Sequence, residues 1–305
     1  MNCFCALYLR RNSKGIAEDE IYSFAKALRE RCSTVVTKHS NCVDIVGTGG
    51  SRTKTFNVST AAAFVVAGTG IPVAKHGNRA ATSSSGSADV LTCLGIDTTM
   101  GPDRTGHCLD EIGICFMYAP NFHRLSASLA TVRRGLGYPT IFNCVGPLCN
   151  PAGTNTQVIG VWSGNMLPKI AGALRRLGTS RSLVVHGESG LDEISADGRT
   201  FVARVGGGTI ERSEIFPADF GFRPGKISEC RTHSPIESAQ LIRSVLSNEL
   251  RDSTAETLVL LNAAAAIQLF DRAASLLDAA DRARESLRSG AGANKLEQLA
   301  AAACV

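Results

Sequence analysis

Four segments of this chain combine residue types that chemistry uses. The first, Asp44–Thr60 (DIVGTGGSRTKTFNVST), runs from a short apolar stretch into Gly47, Thr48, Gly49 and Gly50, and on to Asn57, Ser59 and Thr60. Glycines let backbone N–H groups approach an anion without side-chain obstruction, and a helix start favours phosphate. The spacing matches neither the dinucleotide GxGxxG nor the GxxxxGK[ST] phosphate loop. A tight turn before a capped helix is the plain alternative. The second segment, Lys75–Gly95, sets Lys75, His76, Asn78 and Arg79 within five residues, then a serine-rich loop that reaches Ser87. Two cations and an amide suit an oxyanion-rich ligand. A lone histidine is otherwise usually structural.

The third segment, His186–Ser195, places Asp192 and Glu193 side by side after a glycine turn. Such a pair could hold Mg²⁺ in part through water and substrate phosphates, although most acidic pairs are simply solvated. The fourth, Ala119–Gly153, carries Arg133 and Arg134 on a helix that must bury Leu129, Val132 and Leu136. One guanidinium then turns partly inward, where it is a natural carboxylate clamp, and the other is solvated.

The elements that position these segments alternate between helix and strand. Residues 16–31 place Ile16, Ile21, Phe24, Ala25 and Leu28 near one helical face. Val43–Val46 and Pro72–Lys75 read as short buried strands. Ser59 or Thr60 is expected to cap a helix through Val66, ended by Gly68 and Gly70. Residues 103–136 read as helical, broken at Pro120. Pro139–Asn143, Gln157–Trp162 and Ser182–His186 read as strands, with a cationic helix at Leu167–Leu177. Thr200–Val205 and Thr209–Glu214 alternate as a strand pair, and from Ser234 onward the chain is alanine-rich and helical, with a glycine break near 290–292. This order predicts an α/β fold with a mainly parallel central sheet covered by helices.

Composition limits the function classes. The 305 residues are 44% hydrophobic and 19% charged, with a net charge of +5. That mild basicity fits an anionic ligand and argues against nucleic acid as a partner. Eleven cysteines form no CxxC pair, and most sit in apolar runs, so they read as buried reduced thiols and imply a cytoplasmic protein. No apolar stretch approaches a membrane span, and Arg10 and Arg11 interrupt the first apolar run, so neither a membrane partner nor a secretory signal is expected.

In a single order, GTGGS with NVST, KHGNR with SGSADVL, VRRGLG with TIFNCVGPLCNPAG, and HGESGLDEIS closely resemble the anthranilate phosphoribosyltransferases of tryptophan biosynthesis. LLNAAAAI at Leu260–Ile267 resembles that family's late helix, and the resemblance runs from about residue 6 to 300. It implies a nucleoside phosphorylase/phosphoribosyltransferase type of fold, usually homodimeric. The small helical domain would be formed by residues 1–36 and 103–137, and the α/β domain by 37–102 and 138–305. It further implies that Gly47, Thr48, Gly49, Gly50, Asn57, Ser59, Thr60, Lys75 and Ser87 bind PRPP. Ser59, Asp192 and Glu193 would serve Mg²⁺, while Gly47, His76, Asn78 and Arg133 would face anthranilate.

The chain departs from the family pattern at Ser51, usually Asp, at Ser84, usually Lys, and at Arg124, usually Pro. The segment before GTGG is also shorter by roughly one helix. Restoring Asp at 51 and Lys at 84 is therefore expected to strengthen PRPP binding or turnover. The implied reaction is displacement at the anomeric carbon of PRPP by an aromatic amine, with pyrophosphate leaving; no general base is assigned. Alternatives are a phosphoribosyltransferase for another aromatic acceptor, and a non-catalytic homologue binding phosphorylated or nucleic-acid ligands. A pyrimidine nucleoside phosphorylase is a third, for which Lys38-His39-Ser40 lacks the glycines that should follow.

Overall fold

The structure, a computed structural model, describes residues 15–51, 53–80, 85–123 and 140–302. In chain order the elements are α1 (Glu18–Arg29), β1 (Val43–Gly47), α2 (Val58–Gly68), β2 (Val73–Gly77), α3 (Ser87–Cys93), α4 (Pro102–Ile112), β3 (Ile114–Tyr118) and a single turn, α5 (Ala119–Phe122). Then come α6 (Ile141–Val145), β4 (Thr156–Gly160), α7 (Leu167–Arg176), β5 (Arg181–Gly187), β6 (Thr200–Gly206) and β7 (Thr209–Ile215). Four helices close the order: α8 (Pro235–Leu246), α9 (Thr254–Phe270), α10 (Leu276–Arg288) and α11 (Ala291–Ala302).

The seven strands form one sheet in the order β3-β2-β1-β4-β5-β6-β7. The first five are parallel, while β6 and β7 add antiparallel at one edge. Period-2 alternation divides the side chains between two cores. Ile45, Val158, Leu183, Val185 and Val202 point to a core built with α2, α9, α10 and α11. Val46, Ile159, Val184 and Ala203 point the other way, to α1, α6 and α7. Every residue of β4 is buried, as a central parallel strand with both faces covered requires.

The chain runs from β1 outward through β2 and β3, then returns to place β4 on the other side of β1. The order therefore reverses between β1 and β4, and ligands of open α/β sheets bind at the carboxyl ends of strands beside such a switch point. The expected glycine loop, at Gly47–Gly50, lies at the carboxyl end of β1.

Several expectations are corrected. Residues 103–136 are not helical throughout, because Ile114–Tyr118 pairs in register with Val73–Gly77 as the edge strand β3. The segment 102–118 thus belongs to the sheet layer rather than to a separate helical domain, which moves the boundary expected at 103. Helix α1 likewise shares its core with β4, β5 and α7. Where a strand was expected at Pro139–Asn143, the described residues form a short helix, Ile141–Val145, whose Asn143 Oδ1 accepts from Thr140 N at 2.9 Å. Helix α2 begins at Val58 with Asn57 at its N-cap, so neither Ser59 nor Thr60 caps it. Six of the eight described cysteines are buried, as thiols in apolar runs should be. No helix among the described residues is long and apolar enough to cross a membrane.

Candidate active site

The carboxyl ends of β1, β2, β3 and β5, with α6, enclose a cleft of about 570 Å³. Its floor is the glycine loop. Gly49 and Gly50 hold φ of 64° and 81°, in the left-handed region that glycine enters without steric cost. Thr48 N donates to the Gly160 carbonyl at 2.9 Å, and Thr48 O accepts from Asn143 Nδ2 at 3.2 Å. The loop is held from two sides while its glycines line the cleft. Gly49 N donates to Asp192 Oδ2 at 3.1 Å.

Asp192 reaches this position because β4 ends in glycine. A Cβ on Gly160 would stand 1.5 Å from the Asp192 carbonyl oxygen. Backbone lies on both sides of that approach, so no flexible side chain could yield. Glu193 Oε1 accepts from Ser59 N at 3.2 Å, in the first turn of α2. The Asn57 side chain does not cap that helix. Its Oδ1 accepts instead from Ser85 Oγ at 2.8 Å and Ser238 Oγ at 3.1 Å. Asn57 and Ser59 thus line the cleft at the start of α2, the end of a helix that favours phosphate.

The charges are arranged in a dry setting. Burial raises the Asp192 carboxyl pKa, and burial followed by the Asp192 charge raises Glu193 well above the ordinary range. Glu193 Oε2 is buried with no hydrogen-bond partner among the described residues. Two adjacent carboxylates that resist ionisation, one with an orphaned oxygen, form a donor set that fits a divalent cation. No group of three or more His, Cys, Asp or Glu side chains suited to a metal occurs among the described residues. A cation here would take its remaining ligands from water and substrate, the usual habit of Mg²⁺.

Lys75 supplies the opposite charge from β2. Its Nζ donates to the Ile45 carbonyl at 2.7 Å, and burial lowers its pKa to about 8 against the opposing pull of Asp44 and Glu193. Asp44 was not singled out in the sequence, yet it braces this wall. It accepts from His76 N at 3.2 Å and Asn150 Nδ2 at 2.8 Å, and burial raises its pKa to about 6. A carboxylate inside an otherwise apolar strand was the signal available.

Beyond β2, the loop through Asn78 and Arg79 is closed by Asp89, a second residue missed in the sequence. Asp89 Oδ2 accepts from Ala80 N and Gly86 N, at 2.9 and 3.0 Å, and Arg79 Nη1 lies 3.3 Å from Oδ1. Ser87 begins α3 with its Oγ donating to the Asn78 carbonyl at 3.3 Å. A third missed residue, His123, sets its Nε2 3.2 Å from His76 Nε2.

Of the expected site residues, Gly47, Thr48, Gly49, Gly50, Asn57, Ser59, Lys75, His76, Asn78, Ser87, Asp192 and Glu193 all line this one cleft. Thr60 does not: it is fully buried in α2. Arg133, with Arg134, Ser84 and Arg124, lies outside the described residues.

Comparison with known proteins agrees with this geometry. Residues 39–293 match the family described as "Glycosyl transferase family, a/b domain". An anthranilate phosphoribosyltransferase of Pelotomaculum thermopropionicum is 43% identical over 286 residues, which cover 94% of this chain and 82% of that protein. The Aquifex aeolicus protein of the same name is 41% identical over 96% of this chain and 86% of its own length. Among solved structures, an anthranilate phosphoribosyltransferase of Thermus thermophilus superposes with a TM-score of 0.88 at 39% identity, over 96% of this chain and 87% of that one. One from Saccharomyces cerevisiae, in complex with PRPP and Mg, gives a TM-score of 0.85 at 31% identity, over 94% and 80%. Identity at this level over nearly the whole length, on the same sheet, leaves one conclusion: the chain belongs to the anthranilate phosphoribosyltransferase family.

Proposed function

We propose that this chain transfers the 5-phosphoribosyl group of PRPP to the amine of anthranilate and releases pyrophosphate, a step of tryptophan biosynthesis carried out in the cytoplasm. The observation that carries the reading is the convergence of Ser59 and Glu193. A helix start suited to phosphate and a carboxylate suited to a cation meet at 3.2 Å. A sugar pyrophosphate with its divalent ion needs both at once.

In this reading Gly47, Thr48, Gly49, Gly50, Asn57, Ser59, Lys75 and Ser87 bind PRPP. The Lys75 cation and the positive end of α2 stabilise the charge that grows on the departing pyrophosphate. Thr60 supports them from inside α2. Ser59, Asp192 and Glu193 hold Mg²⁺, which when bound supplies the remaining neutralisation of that charge. Gly47, His76, Asn78 and Arg133 orient anthranilate. The bond from the anomeric carbon to pyrophosphate oxygen breaks, the bond to the amine nitrogen forms, and the nitrogen gives up one proton. A neutral aromatic amine is nucleophilic without prior deprotonation, so alignment of the two substrates is the larger task of the protein. A small helical domain drawn from those parts of 1–36 and 103–137 that lie outside the sheet layer, and a homodimer, complete the proposal.

Equilibrium binding tests it. PRPP should bind far more tightly with Mg²⁺ than without, and anthranilate should bind on the same chain. Binding of thymidine or of RNA in preference to PRPP would overturn the reading in favour of a nucleoside phosphorylase or a nucleic-acid-binding homologue.

A further inference from the structure

Helix α9 contributes no residue to the cleft lining, yet its Leu260–Ile267 stretch holds one amide inside an apolar run. Asn262 is 2% exposed, and Leu260, Leu261 and Ala263–Ala266 beside it are buried. An amide in such surroundings costs stability unless its polar atoms are paired. Those of Asn262 are. Its Oδ1 accepts from Ile194 N at 3.0 Å, and its Nδ2 donates to the Ile194 carbonyl at 3.0 Å and to the Leu258 carbonyl at 2.9 Å. Every partner is a backbone group with a single role, so the orientation of the amide is fixed. Exchanging its oxygen and nitrogen would set donor against donor and acceptor against acceptor.

The bond to Leu258 ties the amide to its own helix, one turn back. The two bonds to Ile194 carry that hold to the acidic turn. The Ile194 N–H belongs to the planar peptide unit that runs from Glu193 Cα to Ile194 Cα, and the Ile194 carbonyl belongs to the next unit. One side chain therefore fixes two successive peptide planes, and the first sets the Cα from which the Glu193 side chain departs. A second hold comes from Gly160, whose missing Cβ lets the Asp192 carbonyl approach β4. With the backbone so held, Glu193 Oε1 meets Ser59 N at 3.2 Å and Asp192 Oδ2 meets Gly49 N at 3.1 Å.

We propose that Asn262 is a positioning residue for the cation site, its amide clamping the N–H and C=O of Ile194 so that the Asp192 and Glu193 carboxylates stay converged on the glycine loop and the start of α2. The proposal rests on the reading of Asp192 and Glu193 as the carboxylates that hold Mg²⁺. Its first test uses neither metal nor substrate, so the two can fail separately.

In the wild-type protein alone, the Ile194 amide should exchange slowly with solvent. Asn262→Leu keeps the volume and removes the clamp, so it should speed that exchange and leave the amides of β4 and β5 as slow as before. PRPP binding, followed by calorimetric titration, should then need about tenfold to a hundredfold more Mg²⁺ for its half-maximal effect, the range expected when a group that orients a metal ligand is lost. PRPP binding without Mg²⁺ should be unchanged, which a general loosening of the fold would not allow. Adding Asn262→Leu to Asp192→Asn with Glu193→Gln should cause no further loss, since the clamp acts only through that pair. Asn262→Ser, whose hydroxyl is too short to hold both Ile194 groups, gives the same reading should the leucine variant not fold.

A wild-type Ile194 amide that exchanges freely would overturn the proposal, whatever the variants do. So would an unchanged Mg²⁺ requirement in the variant, or equal weakening of PRPP binding with and without Mg²⁺, since the latter reduces Asn262 to packing. A Mg²⁺ dependence that survives the loss of both carboxylates would instead overturn the reading beneath the proposal, and the proposal with it.

Discussion

Ser59 N–H donates to Glu193 Oε1 at 3.2 Å across 134 residues of sequence. The first turn of α2 and the acidic turn after β5 are thereby one structure, although each segment read alone has an ordinary explanation. Glu193 and its neighbour Asp192 both line the cleft, and burial raises both of their pKa values.

Replacing the pair with amides, Asp192→Asn with Glu193→Gln, should abolish PRPP turnover at saturating Mg²⁺ while leaving the fold intact. A carboxylate with a raised folded-state pKa lowers stability as pH rises above its unfolded value, so the amides should raise or preserve the melting temperature at a pH of about 8. Calorimetry and a pyrophosphate-release assay check the two halves. Normal turnover in the double variant would remove the metal assignment.

Lys75 sets a pH dependence. Its ordinary pKa of 10.5 falls to about 8 in the fold, chiefly through burial. Between these values the unfolded chain binds more protons than the folded one, so stability should rise with pH across that window. Lys75→Met should lose that slope in thermal melts taken across the same range. PRPP affinity should fall as pH climbs through about 8, because the cation is then lost. Asp44 works in the opposite sense: its pKa rises from 3.8 to about 6, so stability should fall as pH rises between them.

Ser51 stands where the family usually has Asp, and the structure reverses the expectation drawn from that departure. Its Oγ lies 2.7 Å from both the Thr53 and the Gly190 carbonyl oxygens, tying the glycine loop to the acidic turn. An Asp at 51 would face two acceptors with a third and add negative charge near Asp192. Ser51→Asp should therefore weaken PRPP binding by about 1–3 kcal/mol, the range for a lost charge-compatible hydrogen bond. Titration of PRPP against both proteins decides the sign.

Much of this site was legible because its parts are local. Asp44–Thr60 announces a strand, a glycine turn and a helix start in one run, and the sheet needs only that order. What stayed hidden depends on distant pairing. Ile114–Tyr118 is apolar throughout and buried on both faces, so it shows no alternation to separate strand from helix. Ile141–Val145 has strand-like residues, and its helix depends on the bond from Thr140 N to Asn143. His123 meets His76 only because β3 lies beside β2. Asp89 closes the loop before it by reaching back nine residues, a contact without a spacing signature.

Arg133 is the residue that the proposed function assigns to acceptor specificity, following the family resemblance. A planar guanidinium engages a carboxylate bidentately and lysine cannot reproduce the pair. Arg133→Lys should raise the KM for anthranilate far more than that for PRPP, and Arg134→Lys should change little. Aniline, which lacks the carboxylate, should be a poor acceptor for the wild type and lose little more in the Arg133 variant. Equal damage from both substitutions would rule out the clamp.

The most direct measurement is turnover of the purified protein with PRPP, Mg²⁺ and anthranilate, each omitted in turn. The account predicts consumption of anthranilate matched one-to-one by release of pyrophosphate, with loss of both when any of the three is left out. Pyrophosphate release that does not depend on anthranilate, or no reaction in the complete mixture, would contradict it.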